Sequence, residues 1–232
     1  MNKERTVEEI IAVVDALLEA GKDAEAEKEL IAAIAEYAGS DLGDMIGRSV
    51  LLNELGGFYR KRGQFIEGEK AFLEAKDLLE KARECGGGNM AVNYATTLNN
   101  LAGLYRMDGR LQQAIDMFDA AIQEYESCEG QVAPDFLASA YNNKGLVFLN
   151  LRETNQAKAM FLRAKGILEE GGNFAFAMGA TLSNMGFAAV AEKEYSAAAE
   201  YFRSAKMLFE EAGALEMAQS SAELLSRLEG RG

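Results

Sequence analysis

Histidine and tryptophan are missing from this chain of 232 residues, and proline occurs once, at Pro134. Without an imidazole, the chain cannot form a Ser-His-Asp triad, a Cys-His pair or a metal site with histidine ligands. Its two cysteines, Cys85 and Cys128, are too few for a zinc site, and we expect them to be reduced thiols in a cytoplasmic protein. We therefore expect no enzyme activity, no metal and no cofactor.

Long apolar runs are missing as well. No secretory signal follows the first residues, and no run of about 18 apolar residues could cross a membrane. The chain has 24 basic and 37 acidic residues, and its net charge of −13 repels a phosphate backbone. We therefore expect neither a membrane nor a nucleic acid as its partner.

The sequence also has no long runs of Val, Ile and Thr with alternating polarity, so it predicts no β-sheet. Its abundant Ala, Leu, Glu, Lys and Met residues favour helices instead. The composition therefore predicts an all-α fold.

A motif of one small, one large apolar and one small residue recurs five times. The motif begins 42, 46, 43 and 41 residues apart, and its steps of four and three residues place all three side chains on one helical face. The small residues allow a neighbouring helix to approach, and the larger side chain fills the remaining space. The five copies are Ala26, Leu30 and Ala33; Gly68, Phe72 and Ala75; Ala114, Phe118 and Ala121; Ala157, Phe161 and Ala164; and Ala198, Phe202 and Ala205.

A second segment precedes each motif; in the third repeat it includes residues 98–102, Leu-Asn-Asn-Leu-Ala, with Tyr105 and Gly109 matching Tyr59 and Gly63 of the second repeat. These residues resemble the tetratricopeptide repeat (TPR), in the longer form of kinesin light chains. The resemblance implies a right-handed α-α superhelix of five helix-turn-helix repeats with a C-terminal capping helix. We expect a single solenoid over residues 1–232, with repeats at about 5–40, 43–88, 90–130, 134–172 and 174–212, and a capping helix at about 214–229.

The chain departs from the usual repeat in its turns. No proline ends the repeats; we expect glycines to end the second helices instead. Arg152 and Lys193 replace the glycine that forms the turn inside the first three repeats. The capping helix would cover the last repeat with Leu215, Ala218, Ala222, Leu225 and Leu228. The glycines expected after the second helices are Gly39, Gly86 to Gly88, Gly130, Gly171, Gly172 and Gly213.

In the TPR family the first helices line the concave face, and asparagines recur on these helices here. An asparagine amide both donates and accepts hydrogen bonds, so a row of them could pair with the main chain of a peptide. Alternatively, some of these asparagines bond to the neighbouring helix and hold the stack together. The predicted peptide-binding asparagines are Asn53, Asn99, Asn100, Asn142, Asn143 and Asn184.

Two further sets of residues are predicted to face the groove. Arg60, Lys61 and Arg106 make its middle basic, and the arginines could grip acidic groups of a ligand. The alternative is ordinary salt bridging to acidic neighbours. The later repeats place apolar side chains where solvent is expected, which usually marks a partner site unless the cap helix covers it. These apolar residues are Leu146, Leu149, Phe187 and Val190.

Together these features predict a protein–protein interaction module, acting as an adaptor or a regulatory sensor. It would bind an extended or helical peptide segment of a partner, including a segment with acidic groups. A self-associating scaffold, and hence a homo-oligomer, is the first alternative, and size that depends on concentration would identify it. The second alternative is a sensor of a small molecule or a peptide signal, for which a deep closed pocket would be evidence.

Overall fold

The computed structural model describes residues 5–85, 90–128, 132–172 and 174–229. Within these ranges the chain forms eleven α-helices and no β-strand, which confirms the all-α prediction. The helices are α1 (Val7–Glu19), α2 (Asp23–Glu36), α3 (Leu42–Lys61), α4 (Phe65–Glu84), α5 (Ala91–Met107), α6 (Leu111–Ser127), α7 (Pro134–Asn150), α8 (Thr154–Gly171), α9 (Ala175–Ala191), α10 (Tyr195–Glu211) and α11 (Leu215–Glu229).

The chain divides into two compact units, an N-terminal unit of Met1–Ser127 and a C-terminal unit of Cys128–Gly232. In the N-terminal unit, α1 packs on α2, α3 on α4 and α5 on α6, and first helices also contact each other, α1 with α3 and α3 with α5. In the C-terminal unit, α7 packs on α8, α9 on α10 and α10 on α11, and α7 contacts α9. Each helix pair is one of the expected repeats; the single solenoid over the whole chain stays a prediction.

Local sequence signals fix where several of the helices begin. Thr6 and Glu9 form a reciprocal capping box at the start of α1, since each side chain bonds the other residue's backbone N–H. The Asp41 carboxylate accepts the Asp44 N–H at 2.8 Å and caps α3. Pro134 opens α7, where its missing N–H leaves no helical hydrogen bond unmade.

The turn inside each repeat uses the left-handed backbone conformation. Gly21, Gly63 and Gly109 have φ values of 70°, 71° and 78° in the first three repeats. Arg152 and Lys193 adopt the same conformation in the last two, at 62° and 64°, although it is unfavourable for a residue with a Cβ atom. The turn thus has the same backbone geometry in all five repeats. After the second helices, Gly172 and Gly213 also have positive φ; the glycines expected at 86–88 and 130 lie outside the described residues.

The recurrent aromatic residue is the centre of the core. Phe72, Phe118, Phe161 and Phe202 are almost completely buried, as is Leu30 at the matching position of the first repeat. Each of the three glycines Gly56, Gly145 and Gly186 of the first helices lies directly against one of these rings. A Cβ atom at Gly56 or Gly186 would come within 2.7 Å of the ring of Phe72 or Phe202. The missing side chain therefore lets the paired helices approach closely.

Helix α11 caps the C-terminal unit, as its sequence predicts. Leu224, Leu225 and Leu228 pack against a buried cluster formed by Ala189, Ala198 and Phe202. Ala218 is buried against Ala205 and Phe209. The expectation for Leu215 was wrong, because this first residue of the helix is 70% exposed. Nowhere in the described part of the chain does a helix have the length and apolar character needed to cross a membrane.

Candidate binding face

The first helices α3 and α5 of the N-terminal unit each carry an asparagine, a glycine and an arginine on one face. Asn53, Gly57 and Arg60 follow each other on α3 at intervals of four and three residues. Asn100, Gly103 and Arg106 follow at intervals of three on α5. Such intervals place each set on one face of its helix. Because α3 and α5 contact each other, we treat the two sets as one binding face.

Arg60 reaches across from α3 to α5. Its Nη1 donates a hydrogen bond to the main-chain oxygen of Asn100, with a distance of 3.3 Å. A Cβ atom at Gly103 would lie 2.7 Å from the same nitrogen, so the guanidinium rests on the backbone of α5 at this glycine. The structure therefore places the charge of Arg60 beside the next repeat rather than above its own helix.

Arg106 lies on α5 one turn after Gly103, near the guanidinium of Arg60. It is half-buried, and its Nε is inaccessible to solvent and has no hydrogen-bond partner. Burial lowers the pKa of Arg106, and burial together with the charge of Arg106 lowers the pKa of Arg60. We call these two side chains the basic cluster. Lys61, the third predicted basic residue, is exposed to solvent.

Neither arginine of the basic cluster pairs with a carboxylate of any residue that the structure describes. Other arginines of the same unit do have acidic partners. Arg110 donates to both oxygens of Glu69 at 2.8 and 2.9 Å, and Arg83 and Arg62 bind Glu124 and Asp23. Ordinary salt bridging, which the sequence left open for Arg60 and Arg106, is therefore not what holds them.

Acidic groups lie towards the other end of this face. Burial raises the pKa of the Glu54 carboxyl on α3, Asp15 on α1 raises it further, and Lys61 acts in the opposite direction. Glu54 occupies the position in the second repeat that Asn100 occupies in the third. The face is thus acidic near the first repeat and basic between the second and third repeats.

Asn53 and Asn142 make hydrogen bonds between neighbouring first helices. Asn53 Nδ2 donates to Thr97 Oγ1 at 2.8 Å, and Asn142 Nδ2 donates to Thr181 Oγ1 at 2.7 Å. Each threonine hydroxyl in turn donates its hydrogen to the main-chain oxygen four residues earlier. The hydroxyl oxygen then accepts the N–H of the asparagine amide. The same arrangement therefore joins α3 to α5 in one unit and α7 to α9 in the other.

The remaining predicted asparagines are half-buried on the first helices. The amide of Asn100 lies 3.4 Å from Asn53 Oδ1, at the long end of the hydrogen-bond range. Asn99 precedes it on α5, and Asn143 and Asn184 lie on α7 and α9. The structure thus brings Asn53, Asn100 and the basic cluster together, and keeps Asn143 and Asn184 with the C-terminal unit.

The predicted apolar residues of the C-terminal unit differ in exposure. Phe187 is 42% exposed and rests edge-on against Phe202, with 5.3 Å between ring centroids. Leu146 and Leu149 are half-buried on α7. Val190 packs into the cluster that α11 covers, so part of this surface belongs to the cap.

Two clefts in the described residues are open to solvent. One, of about 370 Å³, lies in the C-terminal unit beside Asp135, Phe174, Phe176 and Glu211. Another, of about 400 Å³, is lined mainly by the turn at residues 152–156 and by Glu192. No group of three or more cysteine or acidic residues in the described ranges is arranged to hold a metal ion.

Comparisons with known proteins agree with this architecture. Residues 47–127 match the family model of the tetratricopeptide repeat. No curated protein sequence matches the chain significantly. The predicted tetratricopeptide repeat is thereby confirmed for residues 47–127, the part of the chain that the model matches.

Three solved structures give the extent of the likeness. The nearly identical TPR-like repeats of a kinesin light chain-type protein from Podosopora anserina are 12% identical, with a TM-score of 0.65, over 90% of this chain and 99% of that one. RapI in its apo form is 14% identical, with a TM-score of 0.72, and the match covers 96% of this chain and 81% of RapI. PlcR of Bacillus thuringiensis, solved with the peptide PapR7 and DNA, is 15% identical, with a TM-score of 0.69, over 94% and 74%.

Proposed function

We propose that this protein of tetratricopeptide-like repeats is a non-catalytic adaptor or regulatory sensor that binds a peptide segment of a partner protein. The binding site is the face formed by α3 and α5 of the N-terminal unit, which we take to line a concave groove. The observation that carries the proposal is the basic cluster, two half-buried arginines without a carboxylate partner among the described residues. Burying a charge without a partner is costly, so a ligand that supplies the counter-charge would stabilise this arrangement.

The composition of the chain strengthens this argument. Acidic residues outnumber basic ones by 37 to 24, so each arginine has many possible partners on its own chain. Two neighbouring arginines without an acidic partner on the described part of the chain indicate that a ligand supplies their counter-charge. The same negative balance disfavours polyanions such as nucleic acids and anionic membranes, because these carry charge far beyond the basic cluster. A peptide with a local acidic group fits both conditions.

The asparagines divide into two roles in this proposal. Asn53 and Asn142 donate hydrogen bonds from their amide groups to threonines of the neighbouring first helix, and these bonds would hold adjacent repeats in register. Asn99 and Asn100 would contact the main chain of a peptide bound at this face, and Asn143 and Asn184 would do the same for a peptide bound at the C-terminal unit. Leu146, Leu149 and Phe187 would offer apolar contacts to a partner at the C-terminal unit. The PlcR structure contains a bound peptide, which supports peptide binding as a use of this fold.

The double variant Arg60→Ala with Arg106→Ala is expected to weaken binding of acidic peptides at least about tenfold, because hydrogen bonds to charged groups contribute roughly 1.5–3 kcal/mol each. The affinity of the wild type should also fall as salt rises, since exposed charges are screened over about 10 Å at 0.1 M. Titration calorimetry against an acidic peptide library at two salt concentrations measures both effects.

The matched control is Lys28→Ala with Lys70→Ala, which removes two exposed charges from the second helices of the same unit. It should leave affinity nearly unchanged. If the arginine and lysine variants weakened binding equally, only the net charge would matter and the proposed face would be wrong. If the wild type bound no library peptide at all, the proposed function itself would fail.

A further inference from the structure

The geometry of the basic cluster points to the kind of acidic group that the protein recognises. Arg60 and Arg106 lie one repeat apart along the chain, on α3 and α5, but the charge of Arg60 does not stay at its own helix. Its guanidinium lies on α5 at Gly103, one helical turn before Arg106. The Arg60 guanidinium therefore lies beside the helical turn that carries Arg106, close enough for the charge of Arg106 to act on it, and we treat the two residues as one site.

Charge balance distinguishes between possible ligands at this place. The described residues supply no carboxylate to either arginine, so the two guanidinium groups together carry a charge of about +2. A peptide carboxylate would neutralise half of it. A phosphoryl group on serine, threonine or tyrosine carries about −1.5 to −2 at pH 7 and offers three acceptor oxygens. A single phosphoryl group therefore compensates both arginines at once, whereas a single carboxylate does not.

The available donors agree with this choice. A guanidinium has five N–H groups in a planar fork that suits phosphate oxygens. Arg60 donates one N–H of Nη1 to the main-chain oxygen of Asn100, and this hydrogen bond holds its guanidinium group in place. The Nε of Arg106 is inaccessible to solvent, so the donors that this residue offers to a ligand are those of its two Nη groups. The glycine between them leaves the backbone side of the site without a side chain that would compete for the same space.

We propose that Arg60 and Arg106 jointly bind one phosphoryl group on a peptide segment of the partner. This inference rests on the proposed function and narrows it to a phosphorylated ligand. A segment carrying a single phosphoryl group also meets less repulsion from the chain's net charge of −13 than an RNA or a lipid surface does. Recognition would then depend on the modification state of the partner.

The test uses three degenerate peptide libraries with the same flanking residues and a central phosphoserine, glutamate or serine. Binding of each to the full chain is measured by fluorescence anisotropy, together with an RNA oligonucleotide and vesicles containing phosphatidylserine. We expect the phosphoserine library to bind about tenfold more tightly than the glutamate library. The variant Arg60→Lys with Arg106→Lys keeps both charges but loses the forks, and it should lose that preference.

Equal binding of the phosphoserine and glutamate libraries would overturn the phosphoryl inference and leave the proposed peptide-binding function standing. An unchanged preference in the lysine variant would overturn it too, because the arginine forks would then be irrelevant. Binding confined to the RNA or the vesicles would mean that the protein recognises another class of partner, and it would overturn the proposal. Absence of binding to all three libraries would contradict the proposed function itself.

Urea unfolding of the lysine variant shows whether this variant is folded. If it is not, the variant Gly103→Ala, which displaces the Arg60 guanidinium, replaces it with the same expected loss of preference.

Discussion

Replacing Phe161 with alanine is expected to lower the free energy of unfolding by about 3–5 kcal/mol, the usual range for removing a buried aromatic ring. Phe161 is completely buried in the pair formed by α7 and α8, and Ala157, Ala164 and Gly145 leave space for its ring. Because these three residues are small, they offer little side-chain volume to fill the cavity. Urea unfolding followed by circular dichroism measures the change.

The next residue along the chain provides the control. Leu162 has a comparable apolar side chain on the same helix, but it is 57% exposed. Leu162→Ala is therefore expected to change stability by no more than about 0.5 kcal/mol. Similar unfolding midpoints for the two variants would mean that the register of α8 is wrong, and with it the repeat assignment for this pair.

Replacing Thr181 with valine is expected to destabilise the protein by about 1–3 kcal/mol, because it removes the acceptor for a buried amide. Asn142 is only 7% exposed, and its Nδ2 donates to Thr181 at 2.7 Å. Its Oδ1 has no partner among the described residues. The substitution would therefore leave both ends of one buried amide unsatisfied. Urea unfolding again provides the measurement.

A double variant separates a structural role for Asn142 from a role in ligand binding. Asn142→Leu with Thr181→Val removes both polar partners, and it should be more stable than Thr181→Val alone, since no buried amide remains. Ser183→Ala, on the same helix, removes a half-buried hydroxyl and should have little effect. If Thr181→Val were as stable as the wild type, Asn142 would not hold the two helices together.

Most of the fold could be predicted from the sequence, because the repeated motif fixes which face of each second helix is buried. Phe72, Phe118, Phe161 and Phe202 lie at the centre of their pairs, as their spacing predicts. The turns at Arg152 and Lys193 adopt the glycine conformation despite the substitution. The exposed Leu215 was not predictable from helical spacing alone, because spacing gives a direction but not how far the preceding repeat extends.

The candidate site was predictable in composition but not in geometry. Helical spacing places Arg60 and Arg106 on one face, yet it gives no information about the rotamer that carries Arg60 across to α5. A signal for the asparagine–threonine bonds was present and was missed. Thr97 and Thr181 stand at the same position of the third and fifth repeats, and an asparagine in the preceding repeat faces each of them.

The central claim, that the basic cluster is the binding site, is tested most directly by NMR on the full chain labelled with ¹⁵N. The arginine Nε–Hε signals and the backbone amides are recorded while the phosphoserine and glutamate peptide libraries are added. The account predicts the largest shifts at Arg60, Arg106, Asn100 and Gly103, with little change on the second helices α2 and α4. Shifts confined to those second helices, or to the C-terminal unit, while the arginine signals stay unchanged, would contradict it.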